Sequence, residues 1–346
     1  MKKIFSLICV LLAICLLTAC TTVYVPQENI NLNYNNLSAG DSSFWLENDY
    51  VIYSDINEDF EYNYFIKNSQ GNTPISSKET SSWEVMQAYG NAIYYSVLTE
   101  EGDENYDAAD VYRYDTTTKT ETYLASSTYF QNFFVNNSYL YLINIQDNFN
   151  KTCYSADVIS LETQETVTQI SDIYTCGMRN GRFTFLKDTE NGFEIFEYLP
   201  KTNESQKIGT VTLPITNDIT IHETINFTNE VMILESFLTK SNASQILIYE
   251  FKSGAIKTID TPYNLDEIIA YENNAFCILN DWEDNKYFLY SLDLQTHQLL
   301  QLGKIHEDKS LFVTSDKDVY LCGWDDEIIH YNLDGTKEQV LVKEKK

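Results

Sequence analysis

Carboxylates are the main residues that could carry chemistry in this chain, because histidine is scarce and the common catalytic motifs are absent. The sequence holds 51 Asp and Glu but only 4 His. No H-E-x-x-H zinc motif, G-x-S-x-G nucleophile elbow, S-x-x-K set or glycine-rich phosphate loop occurs. The histidines are scattered, without the paired spacing of a zinc site: His222, His297, His306 and His330. Zinc hydrolysis, nucleophilic hydrolysis and nucleotide chemistry therefore have no support in the sequence.

Two tryptophans inside strongly acidic loops are the best candidates for a binding surface. Exposed aromatic rings beside carboxylates suit stacking on sugars, contacts with Lys or Arg, or a protein hot spot. The candidate binding residues are Trp282, Trp324, Asp281, Glu283, Asp284, Asp325 and Asp326. The competing interpretation is that both rings cover junctions between repeats, while the acids only solvate their loops.

A third acidic loop has part of the pattern of a calcium site. Alternate oxygen-bearing side chains can converge on a hard cation such as Ca²⁺. The residues in question are Asp55, Asn57, Asp59 and Glu61. The match is partial, because Phe60 stands where the sharp turn needs glycine and Ile66 stands where the distal glutamate would be. Apart from calcium here, the sequence predicts no cofactor.

The first twenty residues form a basic start, a short apolar run and a small-residue quartet that ends in cysteine. Lys2 and Lys3 precede the apolar segment Ile4–Leu16, and Leu17-Thr18-Ala19-Cys20 follows it. The apolar run is shorter than the roughly 20 residues of a membrane-spanning helix. The pattern is typical of a signal peptide that ends in a lipobox.

This segment resembles the signal peptide of bacterial lipoproteins. The resemblance implies that residues 1–19 are cleaved and that Cys20 receives diacylglyceryl and palmitate chains. Residues 20–39 would then be the lipidated cysteine and a tether, on the extracytoplasmic side of the cell membrane or envelope. A single transmembrane anchor and an ordinary secretory signal with a chance cysteine are the alternatives.

Charge and composition narrow the partners and the fold class. The net charge is −28, and the only arginines are Arg113, Arg179 and Arg182, so nucleic acid is not expected as a partner. Tyr and Phe number 26 and 18, against 12 Gly and 5 Pro, which favours an all-β fold. Outside the leader, buried free thiols are expected, with one disulfide as the alternative, at Cys153, Cys176, Cys277 and Cys322.

A repeated unit of four short strands fills residues 40–346. Its second strands are expected to begin near Tyr50, Ala92, Tyr139, Arg182, Val231, Ala275 and Val319. Polar turns such as Thr116-Thr117-Thr118-Lys119 and Ser253-Gly254 follow the third strands. Four strands every 40 to 50 residues is the period of a β-propeller blade, so the sequence predicts a seven-bladed propeller of four-stranded antiparallel blades. A β-sandwich or a β-solenoid is the alternative, and how the ring closes stays open.

The last repeat carries a family resemblance, in Ile329-His330-Tyr331-Asn332-Leu333-Asp334-Gly335-Thr336. It is distantly similar to the repeats of YWTD-type and TolB-type propellers, and the whole chain resembles propeller lipoproteins of the bacterial surface. That resemblance implies a scaffold for binding. The predicted function is a membrane-anchored, non-catalytic module that binds an envelope or extracellular protein or glycan. A surface carbohydrate hydrolase that uses carboxylates, and a scaffold subunit of an envelope assembly, are the alternatives, so catalysis is not excluded.

Overall fold

The computed structural model describes sixteen stretches of the chain, and every regular element in them is a β-strand. The described residues are 44–47, 50–56, 62–68, 71–75, 86–89, 91–99, 107–136, 138–148, 151–213, 219–238, 243–271, 273–305, 309–313, 319–323, 328–331 and 337–341. Within them, no helix is long and apolar enough to cross a membrane.

The strands assemble into four-stranded sheets in chain order. Sheets 1 and 2 consist of β1 (Phe44–Glu47), β2 (Tyr50–Ile56), β3 (Tyr62–Asn68), β4 (Gly71–Pro74) and β5 (Met86–Tyr89), β6 (Ala92–Thr99), β7 (Ala108–Asp115), β8 (Thr120–Ser127). Sheets 3 and 4 consist of β9 (Phe130–Val135), β10 (Tyr139–Asn148), β11 (Lys151–Ser160), β12 (Thr166–Ile173) and β13 (Thr175–Arg179), β14 (Arg182–Thr189), β15 (Gly192–Leu199), β16 (Glu204–Thr212). Sheets 5 and 6 consist of β17 (Ile219–Phe227), β18 (Val231–Leu238), β19 (Ala243–Glu250), β20 (Ile256–Asp260) and β21 (Asn264–Tyr271), β22 (Asn274–Asp281), β23 (Lys286–Asp293), β24 (Leu299–Ile305). Sheet 7 consists of β25 (Lys309–Val313), β26 (Val319–Gly323), β27 (Ile328–Tyr331) and β28 (Lys337–Leu341).

Every sheet is antiparallel, and its first strand lies beside the first strand of a neighbouring sheet. Such contacts join β1 to β5, β13 to β17, β17 to β21 and β21 to β25. This is the arrangement of propeller blades around a common axis. The all-β prediction is confirmed, and the second strands begin within one residue of the predicted positions.

The strand order gives each sheet two distinct ends. Because neighbouring strands are antiparallel, the loops that join second to third strands emerge at the same end as the connections between sheets. We call this the loop end. The tight turns that join first to second and third to fourth strands lie at the opposite end, which we call the turn end.

The second strand of a sheet is apolar on both faces because it lies between two other sheets. In β22, Ala275, Cys277 and Leu279 pack toward sheet 5. Phe276 and Ile278 point the other way and pack toward sheet 7. The fourth strands are much more exposed, as in β20. Among the predicted thiols, Cys176 and Cys277 are buried and free, whereas Cys153 is partly exposed and donates a hydrogen bond to the Gln146 carbonyl.

Polar side chains on or beside the first strands join each sheet to the next. Gln87 donates from Nε2 to the Phe133 carbonyl over 2.6 Å and accepts the Val135 N–H at Oε1 over 3.1 Å. Asn226 makes the same pair of bonds from sheet 5 to sheet 6, with the Ile268 carbonyl and the Ala270 N–H. These amides link the sheets through backbone groups that would otherwise lack hydrogen-bond partners. We call the interface between neighbouring sheets the seam.

Between sheets 4 and 5, the seam contains an ion-pair cluster around the buried carboxylate of Glu197. Glu197 accepts hydrogen bonds from Arg179 over 2.5 Å and from Arg182 over 3.0 Å. Arg179 also donates to the Asn229 carbonyl and lies 3.9 Å above the Phe251 ring of sheet 5. Both arginines therefore have a structural role at the turn end.

The turns between third and fourth strands share one backbone conformation. The last turn residue is left-handed in sheets 2 to 6, at Lys119, Gln164, Asn203, Gly254 and His297. In sheets 2 and 6 an aspartate opens the turn: Asp115 accepts the N–H groups of Thr117 and Thr118, and Asp293 accepts those of Gln295 and Thr296. These hydrogen bonds lower the pKa of Asp293 and stabilise the turn.

Candidate functional site

The predicted binding loop of sheet 6 lies at the loop end. Trp282 is 62% exposed, and Glu283 and Asp284 beside it are also exposed. Asp281 closes β22 and is half-buried. Asp284 accepts a hydrogen bond from Lys286, which lowers the pKa of the carboxyl. Binding by this loop stays a prediction.

The other predicted site residues fall largely outside the described part of the chain. Trp324, Asp325 and Asp326 lie outside it, as do Asn57, Asp59 and Glu61 of the calcium pattern and the lipidation residue Cys20. Asp55 is described only as part of the backbone of β2. Their roles stay predictions.

A polar cleft of about 500 Å³ opens at the loop end, between sheets 2 and 3. Its volume is in the range of sites that hold small ligands. The lining combines polar side chains with one aromatic ring and one aliphatic side chain: Ser126, Ser127, Thr128, Tyr129, Asn144, Ile145, Gln146, Ser155, Asp157 and Gln169. The ring of Tyr129 is 44% exposed, so it presents a face for an apolar group to pack against.

A chain of hydrogen bonds holds the cleft's polar residues in place. Ser127 donates to the amide oxygen of Asn144 over 2.5 Å, and Asn144 donates to one oxygen of Asp157 over 2.8 Å. Gln169 donates to the second oxygen of Asp157 over 2.9 Å. The Tyr129 N–H donates to Ser127 over 3.0 Å. The network spans four strands, so its geometry is preorganised before any ligand binds.

A second polar feature lies on the inner strands of sheets 5 and 6. Burial, with a smaller effect of the Asp266 charge, raises the pKa of Glu235 to about 7. Burial also raises the pKa of Glu267 to about 8, opposed by its hydrogen bond from the Leu311 N–H and assisted by the charge of Asp266. The side chain of Glu267 nevertheless keeps some accessible surface.

Among the described residues, neither a histidine nor a metal-ligand group lines the cleft. His297 is the one histidine whose side chain is described, and its buried Nε2 has no hydrogen-bond partner. It stands in a turn at the end opposite the cleft. In the described part, no group of three or more His, Cys, Asp or Glu is placed to hold a metal ion.

Sequence reasoning missed the cleft because no motif along the chain marks it. Asn144, Asp157 and Gln169 belong to three different strands and form no motif. A weak signal exists, since all three are polar residues within strands that are otherwise largely apolar or β-branched. That signal does not tell which strands meet.

Comparison with known proteins gives a fold and no family. No family model matches the chain, and no curated protein matches it. Solved propellers do match. The acylaminoacyl peptidase in complex with Z-Gly-Gly-Phe-chloromethyl ketone aligns with a TM-score of 0.59 and 11% identity, over 88% of this chain and 53% of that one. The present chain thus spans about half the length of that peptidase.

Two further structures lead to the same conclusion about the fold. The β-propeller domain of the Trilobed protease from Pyrococcus furiosus aligns with a TM-score of 0.61 and 11% identity, over 86% of this chain and 93% of that domain. The tricorn protease aligns with a TM-score of 0.58 and 13% identity, over 88% of this chain and 34% of that one. At such identities the likeness establishes a propeller fold alone, which supports the sequence resemblance to propellers at that level.

The predicted function is wrong against these comparisons. The sequence predicted a non-catalytic module that binds an envelope protein or glycan. A carbohydrate hydrolase and an assembly scaffold were the alternatives. The propellers named above belong to peptidases instead. The error has a physical reason. In a multidomain enzyme the catalytic residues can lie on a domain other than the propeller, and the propeller sequence then contains no motif for the reaction.

Proposed function

We propose that this propeller is the substrate-binding unit of a peptide-processing system and takes extended, basic peptides in the cleft between sheets 2 and 3. The observation that carries the proposal is the preorganised network of Ser127, Asn144, Asp157 and Gln169. An extended peptide presents alternating N–H and C=O groups, and this network offers both donors and acceptors. Tyr129 adds an aromatic surface for a side chain.

Charge favours a basic peptide. The chain has a net charge of −28, and Asp157 is the carboxylate within the cleft lining. Such a field attracts Lys and Arg side chains and speeds their encounter with the protein. Neutral or acidic peptides gain nothing from it, so selectivity should follow peptide charge.

The similar propellers support the peptide class. They come from an acylaminoacyl peptidase held with a peptide-like chloromethyl ketone, the Trilobed protease and the tricorn protease. We propose that the bond-cleaving residues belong to a separate catalytic unit, which the propeller supplies with peptide.

The test is peptide binding by the purified chain and two matched variants. Fluorescence anisotropy with labelled extended peptides should show that Lys- and Arg-containing peptides bind and that their Glu-containing counterparts do not. Asp157→Asn should weaken binding about tenfold, because it removes the charge of the cleft. Asp260→Asn is the control, since Asp260 also accepts a hydrogen bond from a glutamine, Gln245, but lies on β20 of sheet 5. Equal binding by both variants, or no peptide binding at all, would overturn the proposal.

We also propose that lipid on Cys20 holds the chain at the extracytoplasmic side of the membrane. The basic start, short apolar run and L-T-A-C quartet support it. Two or more acyl chains give stable anchoring, which one does not. Labelled palmitate should be incorporated into the parent and not into Cys20→Ala. A Cys20→Ala chain that is exported and still fractionates fully with membrane would contradict the anchor.

Finally, we propose that the repeats close into one seven-bladed ring that covers residues 40–346. The support is the run of seven sequence units and the four-stranded sheets that match them. A crystal structure of the chain should show seven blades around one axis. Six or eight blades, or two packed sheets, would refute the count.

A further inference from the structure

Two buried amide oxygens on sheet 6 have no hydrogen-bond partner. They are Oδ1 of Asn264 and Oδ1 of Asn280. Asn280 is only 7% exposed, so water at the surface does not satisfy it. The two residues stand directly opposite each other on β21 and β22. A buried acceptor without a partner destabilises the folded state, so two at neighbouring positions need an explanation.

The strand register places a carboxyl group on the same face. Ile278 faces sheet 7, so alternation along β22 turns Asn280 to that face, together with Asn264 opposite it. Glu267 pairs with Ile278 and accepts the Leu311 N–H of sheet 7 over 2.7 Å, which confirms its direction. Diagonal neighbours in a sheet stand about 7 Å apart, within reach of a shared ion.

These three side chains place oxygen acceptors on the face of sheet 6 that packs against sheet 7. They offer two amide oxygens and a carboxylate, and the Asp266 carboxylate lies close enough to act on Glu267. Within the described residues, no Lys or Arg forms an ion pair with Glu267. Hard divalent cations take such neutral and charged oxygens as ligands, and calcium accepts them in irregular arrangements.

We infer that a hard divalent cation of the calcium kind binds between sheets 6 and 7, held by the Asn264 and Asn280 amide oxygens and the Glu267 carboxylate. The ion would satisfy both unpartnered oxygens and link the seam through Glu267. This site is separate from the loop of Asp55 and from the peptide cleft.

Calorimetric titration of the purified chain with calcium chloride, in excess potassium chloride to screen the acidic surface, tests the inference. The parent should show saturable binding at one site. Glu267→Gln and Asn280→Leu should each weaken it by at least about tenfold, as loss of a ligand does. Glu267→Gln keeps an oxygen for the Leu311 N–H, so a folding defect does not explain its result. Glu230→Gln removes the same charge at an exposed turn of sheet 5 and should bind like the parent.

Three outcomes would overturn the inference. The first is no heat of binding in the parent. The second is equal binding by the parent, Glu267→Gln and Asn280→Leu, which would mean that calcium only screens surface charge. The third is a loss of binding in Asp55→Asn alone, which would assign the ion to the acidic loop after β2.

Discussion

At the scale of single residues, burial rather than sequence context decides the chemistry of the acidic groups. Glu235 is 7% exposed on β18, and its side chain faces Asp266 and Cys277 of sheet 6. Its carboxyl is therefore held partly protonated near neutral pH. The exposed Asp293 has the opposite shift, because backbone N–H groups stabilise its charged form. The two acids differ in surroundings that the sequence does not state.

The raised pKa of Glu235 predicts that stability falls as pH rises. The native state binds a proton on Glu235 up to pH about 7, whereas the unfolded chain releases it near the ordinary value of 4.5. The native state thus binds more protons between these values, and stability declines across that window by at most about 3 kcal/mol. Glu235→Gln should remove this part of the decline and should be more stable than the parent at pH 8.

Urea unfolding at pH 5 and pH 8, with a chelator present, measures the effect. Glu230→Gln is the matched control and should keep the pH dependence of the parent, because Glu230 is exposed. If Glu235→Gln and the parent decline equally between the two pH values, the assignment to Glu235 is wrong.

At the scale of elements, many strands and turns can be predicted from the local sequence. The second strands begin where apolar runs follow a polar turn, as predicted. The sequence also marks the turns at Thr116–Lys119 and Ser253–Gly254. It does not reveal that Gln164 shares their left-handed conformation, since glutamine rarely adopts it.

The shared turn predicts a cost for a side chain at its left-handed position. Gly254 has φ +70°, and an added Cβ would come no closer to any atom than 3.9 Å, at the Tyr249 hydroxyl. Gly254→Ala should therefore lower the free energy of unfolding by about 1 kcal/mol through backbone strain alone. Gly303→Ala is the control, because its Cβ would meet no atom within 4 Å and no left-handed angle is involved. Chemical denaturation measures the free energy of unfolding of both variants. Equal values would contradict the predicted backbone strain at position 254.

At the scale of the whole molecule, the sheets are held together by apolar seams with a few buried polar bonds. Gln87 and Asn226 stand at equivalent positions on β5 and β17, each opposite the third residue of the next strand. Each joins its sheet to the following one by two hydrogen bonds to backbone. The sheets should therefore unfold together rather than one by one.

Loss of one such bond pair should weaken the whole propeller. Asn226 is fully buried, so Asn226→Leu leaves the Ile268 carbonyl and the Ala270 N–H without partners. We expect a loss of about 2–4 kcal/mol in the free energy of unfolding. Asn191→Leu, in an exposed turn of sheet 4, should change stability by less than about 0.5 kcal/mol. The thermal unfolding midpoints of the two variants test this prediction. Similar midpoints would show that the hydrogen bonds of Asn226 do not contribute to stability.

The sequence by itself determined the all-β class, the period of the repeats and the starts of the second strands, because these depend on neighbours a few residues away. Only the tertiary structure decided the seam bonds, the cleft and the unpartnered oxygens of Asn264 and Asn280. The seam bonds join residues 42 to 48 positions apart, about one repeat of the chain. A polar residue in an apolar strand is visible in the sequence, but its partner is not, since the packing of one sheet on the next selects it.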